Sequence, residues 1–71
     1  MAMEWEAVSS SNVAEIGYDK DTNTLGVRFK NNSEYHYPNV PIAVFTEFQQ
    51  ADSKGRYMND NIKYTYSYRK I

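Results

Sequence analysis

The sequence predicts an α+β domain: a small antiparallel β-meander of three to four strands, with one main helix packed on one face and a short second helix or turn. Two patterns carry that expectation. Apolar and polar residues alternate through residues 13–18, 24–29 and 33–37, and clusters of turn formers separate these stretches. Then Val44, Phe45, Phe48 and Ala51 recur at three- and four-residue spacing, the period of a helix with one apolar stripe. At 71 residues, the chain 1–71 reads as a single domain.

The elements follow in order. Residues 3–8 alternate around Trp5 as a short strand, broken by the polar turn Ser9-Ser10-Ser11-Asn12. A strand then runs from Val13 through Ile16 and Tyr18 into the turn-rich Asp19-Lys20-Asp21-Thr22-Asn23. Leu25, Val27 and Phe29 share one face of the next strand, and Thr24, Gly26 and Arg28 the other. Asn31-Asn32 suits a two-residue hairpin turn, because asparagine tolerates positive φ. In the strand at 33–37, Tyr35 and Tyr37 fall together while Glu34 and His36 face the other way. Pro38-Asn39-Val40-Pro41 closes that strand and opens the helix, with the cap expected at Asn39 or the Val40 carbonyl. Asp52-Ser53-Lys54-Gly55 is the expected helix stop, with Gly55 left-handed. Residues 56–63 carry Tyr57, Met58 and Ile62 and form a short helix or turn. Residues 64–71 alternate again, as a last strand or a pairing tail.

Composition narrows the function. Eight Lys/Arg against nine Asp/Glu give a net charge of −1, which argues against tracking a long polyanion. The charge is uneven, since Glu4, Glu6, Glu15, Asp19 and Asp21 load the first third and Lys54, Arg56, Lys63, Arg69 and Lys70 the last. There are no cysteines, and the one histidine, His36, has no acid at metal-ligand spacing, so no metal or other cofactor is expected. A core this small is marginal and favours self-association as a dimer or tetramer. No apolar run nears the roughly 18 residues of a membrane span, and Met1-Ala2-Met3-Glu4-Trp5 lacks signal-peptide features, so a cytoplasmic location is expected.

Seven tyrosines stand out, five of them at alternate positions in Tyr35-His36-Tyr37 and Tyr64-Thr65-Tyr66-Ser67-Tyr68. On a strand each set shares a face. Tyr35 and Tyr37 either stack a nucleobase or pack as core. Ser53-Lys54-Gly55 with Arg56 is either a phosphate site or a helix cap with solvated cations; it is not a Walker motif, because the glycine-rich run is missing. Ser10, within the serine cluster, either donates its hydroxyl to a ligand or makes a turn. Tyr64, Tyr66 and Tyr68 beside Arg69 either line a groove between subunits or form a half-exposed edge strand. Tyr57 lies near Lys54 and Arg56, and Tyr68 next to Arg69, so each pairs a ring with a cation. His36 reads as a surface or stacking residue and Trp5 as a lid or interface anchor. No nucleophile, base or metal arrangement supports an enzyme.

Val8-Ser9-Ser10, Ile16-Gly17-Tyr18-Asp19, Leu25-Gly26-Val27-Arg28-Phe29, Tyr35-His36-Tyr37, Val40-Pro41, Phe45 with Phe48, Ala51-Asp52-Ser53-Lys54-Gly55, then Tyr57 and Ile62 together resemble the KTSC domain, a small family named for an appendage of some lysyl-tRNA synthetases. The resemblance covers nearly the whole chain. It implies RNA binding in the synthetase setting. For stand-alone bacterial and phage versions, it implies a likeness to phage anti-CBASS sponges, which sequester cyclic nucleotide signals, and hence a place in the cytoplasm of a bacterial host.

The expected function is non-enzymatic binding of a small anionic nucleotide, by the resemblance a cyclic dinucleotide, between subunits of a homo-oligomer. Its expected contacts are Ser10, Tyr35, Tyr37, Lys54, Gly55, Arg56, Tyr57, Tyr68 and Arg69. The alternatives are an RNA-binding module and an aromatic protein-interaction domain. Two or three cations neutralise a cyclic dinucleotide, whereas an RNA footprint asks for more. A protein partner is compatible with the same charge.

Overall fold

Alternation in the first half of the chain builds a sheet in the computed structural model, which describes residues 3–71. Strands β1 (Glu4–Ala7), β2 (Val13–Asp19), β3 (Thr24–Phe29) and β4 (Glu34–Tyr37) form a meander, followed by helix α1 (Ile42–Gln50). Helix α2 (Lys54–Tyr57) runs on as a π-helical turn, Met58–Ile62, and β5 (Arg69–Lys70) returns to pair with β4. The sheet has five antiparallel strands in the order β1-β2-β3-β4-β5.

Strand register sorts the side chains into two faces. Ile16, Tyr18, Leu25, Val27 and Tyr37 lie on the helix side and are buried with Val13, Val40, Phe48, Met58 and Ile62. The Tyr18 hydroxyl donates to the Val40 carbonyl and ties the chain after β4 to β2. Its ring stacks on Phe45 with centroids 5.3 Å apart. Phe48 stacks in turn on Tyr57, also at 5.3 Å, which locks α1 against α2.

On the opposite face Trp5, Gly17, Gly26 and His36 form one cross-strand row. The two glycines let the indole lie flat across the sheet. A Cβ on Gly26 would sit 2.7 Å from Trp5 Cη2 and clash with the Met3 sulfur, and one on Gly17 would sit 2.9 Å from the Glu4 carbonyl. The Arg28 guanidinium lies 3.9 Å from the centre of the Trp5 ring. Arg28 also donates to Glu15 at 2.9 Å and Glu34 at 2.8 Å, and His36 Nε2 lies 2.7 Å from Glu34 Oε2. The Arg28 hydrogen bond, aided by His36, holds the Glu34 carboxyl below the usual carboxylate range.

Four local expectations are corrected. The β3–β4 connection is a three-residue loop: Asn32 N–H donates to Phe29 O, Phe29 N–H donates to Ser33 O, and Asn32 alone takes positive φ there, at 72°. Asn31 instead accepts from Ser33 N–H through its side chain. Helix α1 is capped at Pro41 without any side-chain bond, because Asn39 turns left-handed at φ 62° to bring the chain off the sheet. Nor does Gly55 stop α1, which ends at Ala51; Ser53 Oγ accepts from Arg56 N–H and starts α2, so Gly55 is helical. Finally, residues 64–68 form no strand. Thr65 and Tyr66 N–H both donate to the Ile62 carbonyl, so the helix end curls into a turn and scatters the three tyrosines. Tyr64 is 84% exposed, Tyr66 packs against the core and Tyr68 meets Tyr35 and Tyr37. Among the described residues no helix is long and apolar enough to cross a membrane.

Gly26→Ala should destabilise the fold by about 1–3 kcal/mol as Trp5 and Met3 are displaced. Gly55→Ala, whose new Cβ would meet nothing nearer than 4.0 Å, should stabilise it by about 0.5–1 kcal/mol. Urea unfolding followed by Trp5 fluorescence measures both. Because the Glu34 carboxyl titrates lower in the folded chain than in the unfolded one, its contribution is present above the ordinary carboxylate range and is lost as pH falls through the folded value. Glu34→Gln should therefore flatten the acid limb of a Tm-against-pH curve and lower Tm at neutral pH.

Candidate functional site

Strand alternation brings Tyr35 and Tyr37 to the helix side of β4, where Tyr68 folds over them from the segment before β5. The Tyr68 ring centroid lies 5.1 Å from Tyr35 and 5.8 Å from Tyr37, and Phe29 meets Tyr35 edge-on at 5.5 Å. These rings wall a cavity of about 370 Å³. Met58 joins the apolar part of the lining, while Asn12, Asn31, Ser33 and Asn59 contribute amides and a hydroxyl. Gly55, Asn59 and Lys63 line it from the second helix, since four-residue spacing sets them along one side of a helical stretch.

Tyr37 is the deepest of these rings, only 3% exposed. Burial pushes its phenol up to about 12, with the nearby phenols of Tyr35 and Tyr68 adding to the shift. The hydroxyl is therefore protonated at neutral pH and available as a donor. Among the described residues it has no hydrogen-bond partner in the chain, and no side-chain oxygen is both sealed from solvent and unpartnered. The hydroxyl thus opens into the cavity that Tyr37 lines.

Of the nine residues singled out from sequence, Tyr35, Tyr37, Gly55 and Tyr68 come together here. The other five lie elsewhere. Ser10 Oγ accepts from Asn12 and Val13 N–H and makes a turn. Lys54 Nζ donates to the Ala51 carbonyl at 2.6 Å, which closes the end of α1. Arg56 faces Asp60 at 3.6 Å, both well exposed, in a shallow depression that also contains Asp52. Tyr57 donates to Glu47 at 2.9 Å and stacks on Phe48; burial and that bond push its phenol up to about 12. Arg69 pairs with His36 in the sheet and so points to the opposite face, whereas its neighbour Lys70 sits beside Tyr35, with Nζ 6.0 Å from the ring centre.

The cation that lines the cavity is Lys63, which the sequence reading left aside, along with Asn12, Asn31, Ser33 and Asn59. A signal for it existed. Reading Ser53 as a helix N-cap puts Met58 and Ile62 on the core side, and Gly55, Asn59 and Lys63 then fall on the adjacent side. The loop residues Asn31 and Ser33 gave no such signal. No group of three His, Asp or Glu side chains stands close enough to hold a metal among the described residues.

Residues 9–66 match the KTSC domain family. A crystal structure of a KTSC domain protein from Yersinia pestis superposes with a TM-score of 0.94 at 40% identity, and the match covers 99% of each chain. An uncharacterised protein of Stutzerimonas stutzeri is 36% identical over 61 residues, 86% of each chain. A lysine–tRNA ligase of Trichormus variabilis is also 36% identical, over 59 residues; these are 83% of this chain and 10% of the ligase, so the chain matches about a tenth of that enzyme. The family match takes in the cavity lining from Asn12 to Lys63, and the chain belongs to the KTSC domain family.

Proposed function

We propose that this KTSC domain binds and sequesters a small anionic nucleotide, a cyclic dinucleotide by preference, without performing chemistry on it. The observation that carries the reading is Tyr37: a protonated phenol 3% exposed, lining a cavity and unpartnered within the described chain. The hydroxyl reaches solvent through the cavity, so a ligand acceptor there would take the place of water as its partner.

The rest of the lining suits a nucleobase and its phosphate. Tyr35 and Tyr68 offer flat faces, the asparagine amides and Ser33 offer both donors and acceptors for base edges, and Lys63 offers one positive charge. The volume of about 370 Å³ falls at the small end of ligand pockets. These groups bind rather than react, and His36 lies on the other face of the sheet. Tyr68, 57% exposed and lining the cavity, gives a second copy of the chain apolar surface to cover, in keeping with ligand held between subunits.

A panel of cyclic di- and trinucleotides, nucleoside monophosphates and RNA oligomers, read by thermal shift and calorimetry, tests the proposal. A cyclic dinucleotide should raise Tm and be recovered intact after the protein is denatured. Tyr37→Phe should leave the Tm of the free protein unchanged or raised, since no internal bond is lost, yet weaken ligand binding about two- to tenfold. Lys63→Ala should weaken it and reduce its salt dependence. No shift with any cyclic nucleotide, together with steeply salt-dependent RNA binding, would replace this function with an RNA one.

A further inference from the structure

Lys63 belongs to two places at once. It lines the tyrosine cavity, and its Nζ stands 5.4 Å from the centre of the Tyr64 ring. Tyr64 is 84% exposed, the most exposed of the large apolar side chains among the described residues. One exposed ring is ordinary on a protein surface. What sets Tyr64 apart is that the backbone holds it next to the cavity's own cation.

That placement is built by the turn that follows the second helix. Ile62 is fully buried, and its carbonyl accepts from Thr65 N–H at 3.1 Å and Tyr66 N–H at 3.0 Å. Tyr66 packs against the core on the far side of the turn. The chain is anchored on both sides of Tyr64, so the ring is presented from a fixed base and, 84% exposed, leaves ring surface open to stacking beside the Lys63 ammonium. From the cavity outward, the order is therefore tyrosine wall, ammonium, exposed ring.

Resting on the nucleotide reading above, we propose that Tyr64 is a second base-stacking subsite. One base of a dinucleotide enters the cavity against Tyr35, Tyr37 and Tyr68, the phosphodiester that joins the two nucleotides meets Lys63, and the second base stacks on Tyr64. In a linear dinucleotide the ammonium offsets the charge of the single linking phosphodiester, and in a cyclic one it offsets one of the two. The arrangement selects ligands with two bases over those with one, since the second ring adds affinity only when a second base reaches it.

The test compares full-length wild type, Tyr64→Ala and Tyr64→Phe. Each is titrated with cyclic dinucleotides, the matching linear dinucleotides and nucleoside monophosphates, using calorimetry for tight ligands and NMR shifts for weak ones. Tyr64→Ala is expected to weaken dinucleotide binding at least about fivefold and to leave monophosphate binding within about twofold. Tyr64→Phe, which keeps the ring, is expected to bind like wild type. A loss confined to the cyclic or to the linear form also supports the subsite and identifies its ligand. Equal losses for dinucleotides and monophosphates, or none in Tyr64→Ala, overturn it while the nucleotide function stands. If wild type binds no nucleotide of any kind, the function itself fails, and the subsite with it. Far-UV circular dichroism checks that the variants are folded, as expected for a side chain this exposed.

Discussion

The alternation of four residues on β4 is the constraint on which the rest of the molecule depends. Tyr35 and Tyr37 must face the helices, and Glu34 and His36 must then face away. The first pair places one ring in the core and one at the rim of a cavity. The second completes the ion network that runs from Glu15 through Arg28. The parity passes on to β5, whose Lys70 joins Tyr35 on one side and whose Arg69 joins His36 on the other. A one-residue slip in β4 would exchange all of these roles at once. The buried pairing of Leu25 with Tyr37 and the half-buried pairing of Arg28 with Glu34 both oppose that slip.

The two faces of the sheet are closed by different means, and this follows from size. The chain is long enough to cover one face with helices. On the other, the side chain of Trp5 on the edge strand β1 folds across Gly17 and Gly26 and receives Arg28 on top. The glycines carry no side chains to pack, yet they permit a close approach that buries a large aromatic ring without another element of structure. With α1 and α2 tied together by Phe48 and Tyr57, little of the helical layer is left to cover the end of the sheet near Tyr35 and Tyr68. The cavity occupies that end.

Sequence alone showed the meander and α1, because alternation in 13–37 and the stripe Val44, Phe45, Phe48 depend on local periods that tertiary packing did not override. It also showed the pairing of Tyr35 with Tyr37. It failed at punctuation. Gly55 looked like a helix stop because glycine favours that role, but a terminator and a first-turn residue differ only by what precedes them, and Ser53 was the deciding cap. Tyr64, Tyr66 and Tyr68 alternate like a strand, and nothing within those residues reveals that the Ile62 carbonyl draws two of their amides into a turn. The same uncertainty hid Lys63, since its role depends on which side of the second helix faces β4. Ring-beside-cation reasoning pointed to Tyr57 near Lys54 and Arg56 and to Tyr68 next to Arg69; Tyr68 lines the cavity, whereas Tyr57 packs two helices together and Arg69 lies on the opposite face of the sheet.

A small domain has little stability to spare, so its buried polar groups are informative. Tyr18 and Tyr57 bury their rings and hand their hydroxyls to protein acceptors, the Val40 carbonyl and the Glu47 carboxylate. Tyr37 is buried as deeply as Tyr18, but its hydroxyl is given to the cavity instead. Phenylalanine would fill the same space in the core, so packing explains the ring, and the hydroxyl takes its partner from what fills the cavity, solvent or ligand. The oxygen makes physical sense if the cavity is at times filled by something that accepts a hydrogen bond. Its neighbours suit the proposed ligand: the aromatic faces of Tyr35 and Tyr68 can stack a planar group, and the Lys63 ammonium can meet an anion joined to it. The proposed nucleotide would supply both, a planar base that accepts a hydrogen bond and an anionic phosphate attached to it.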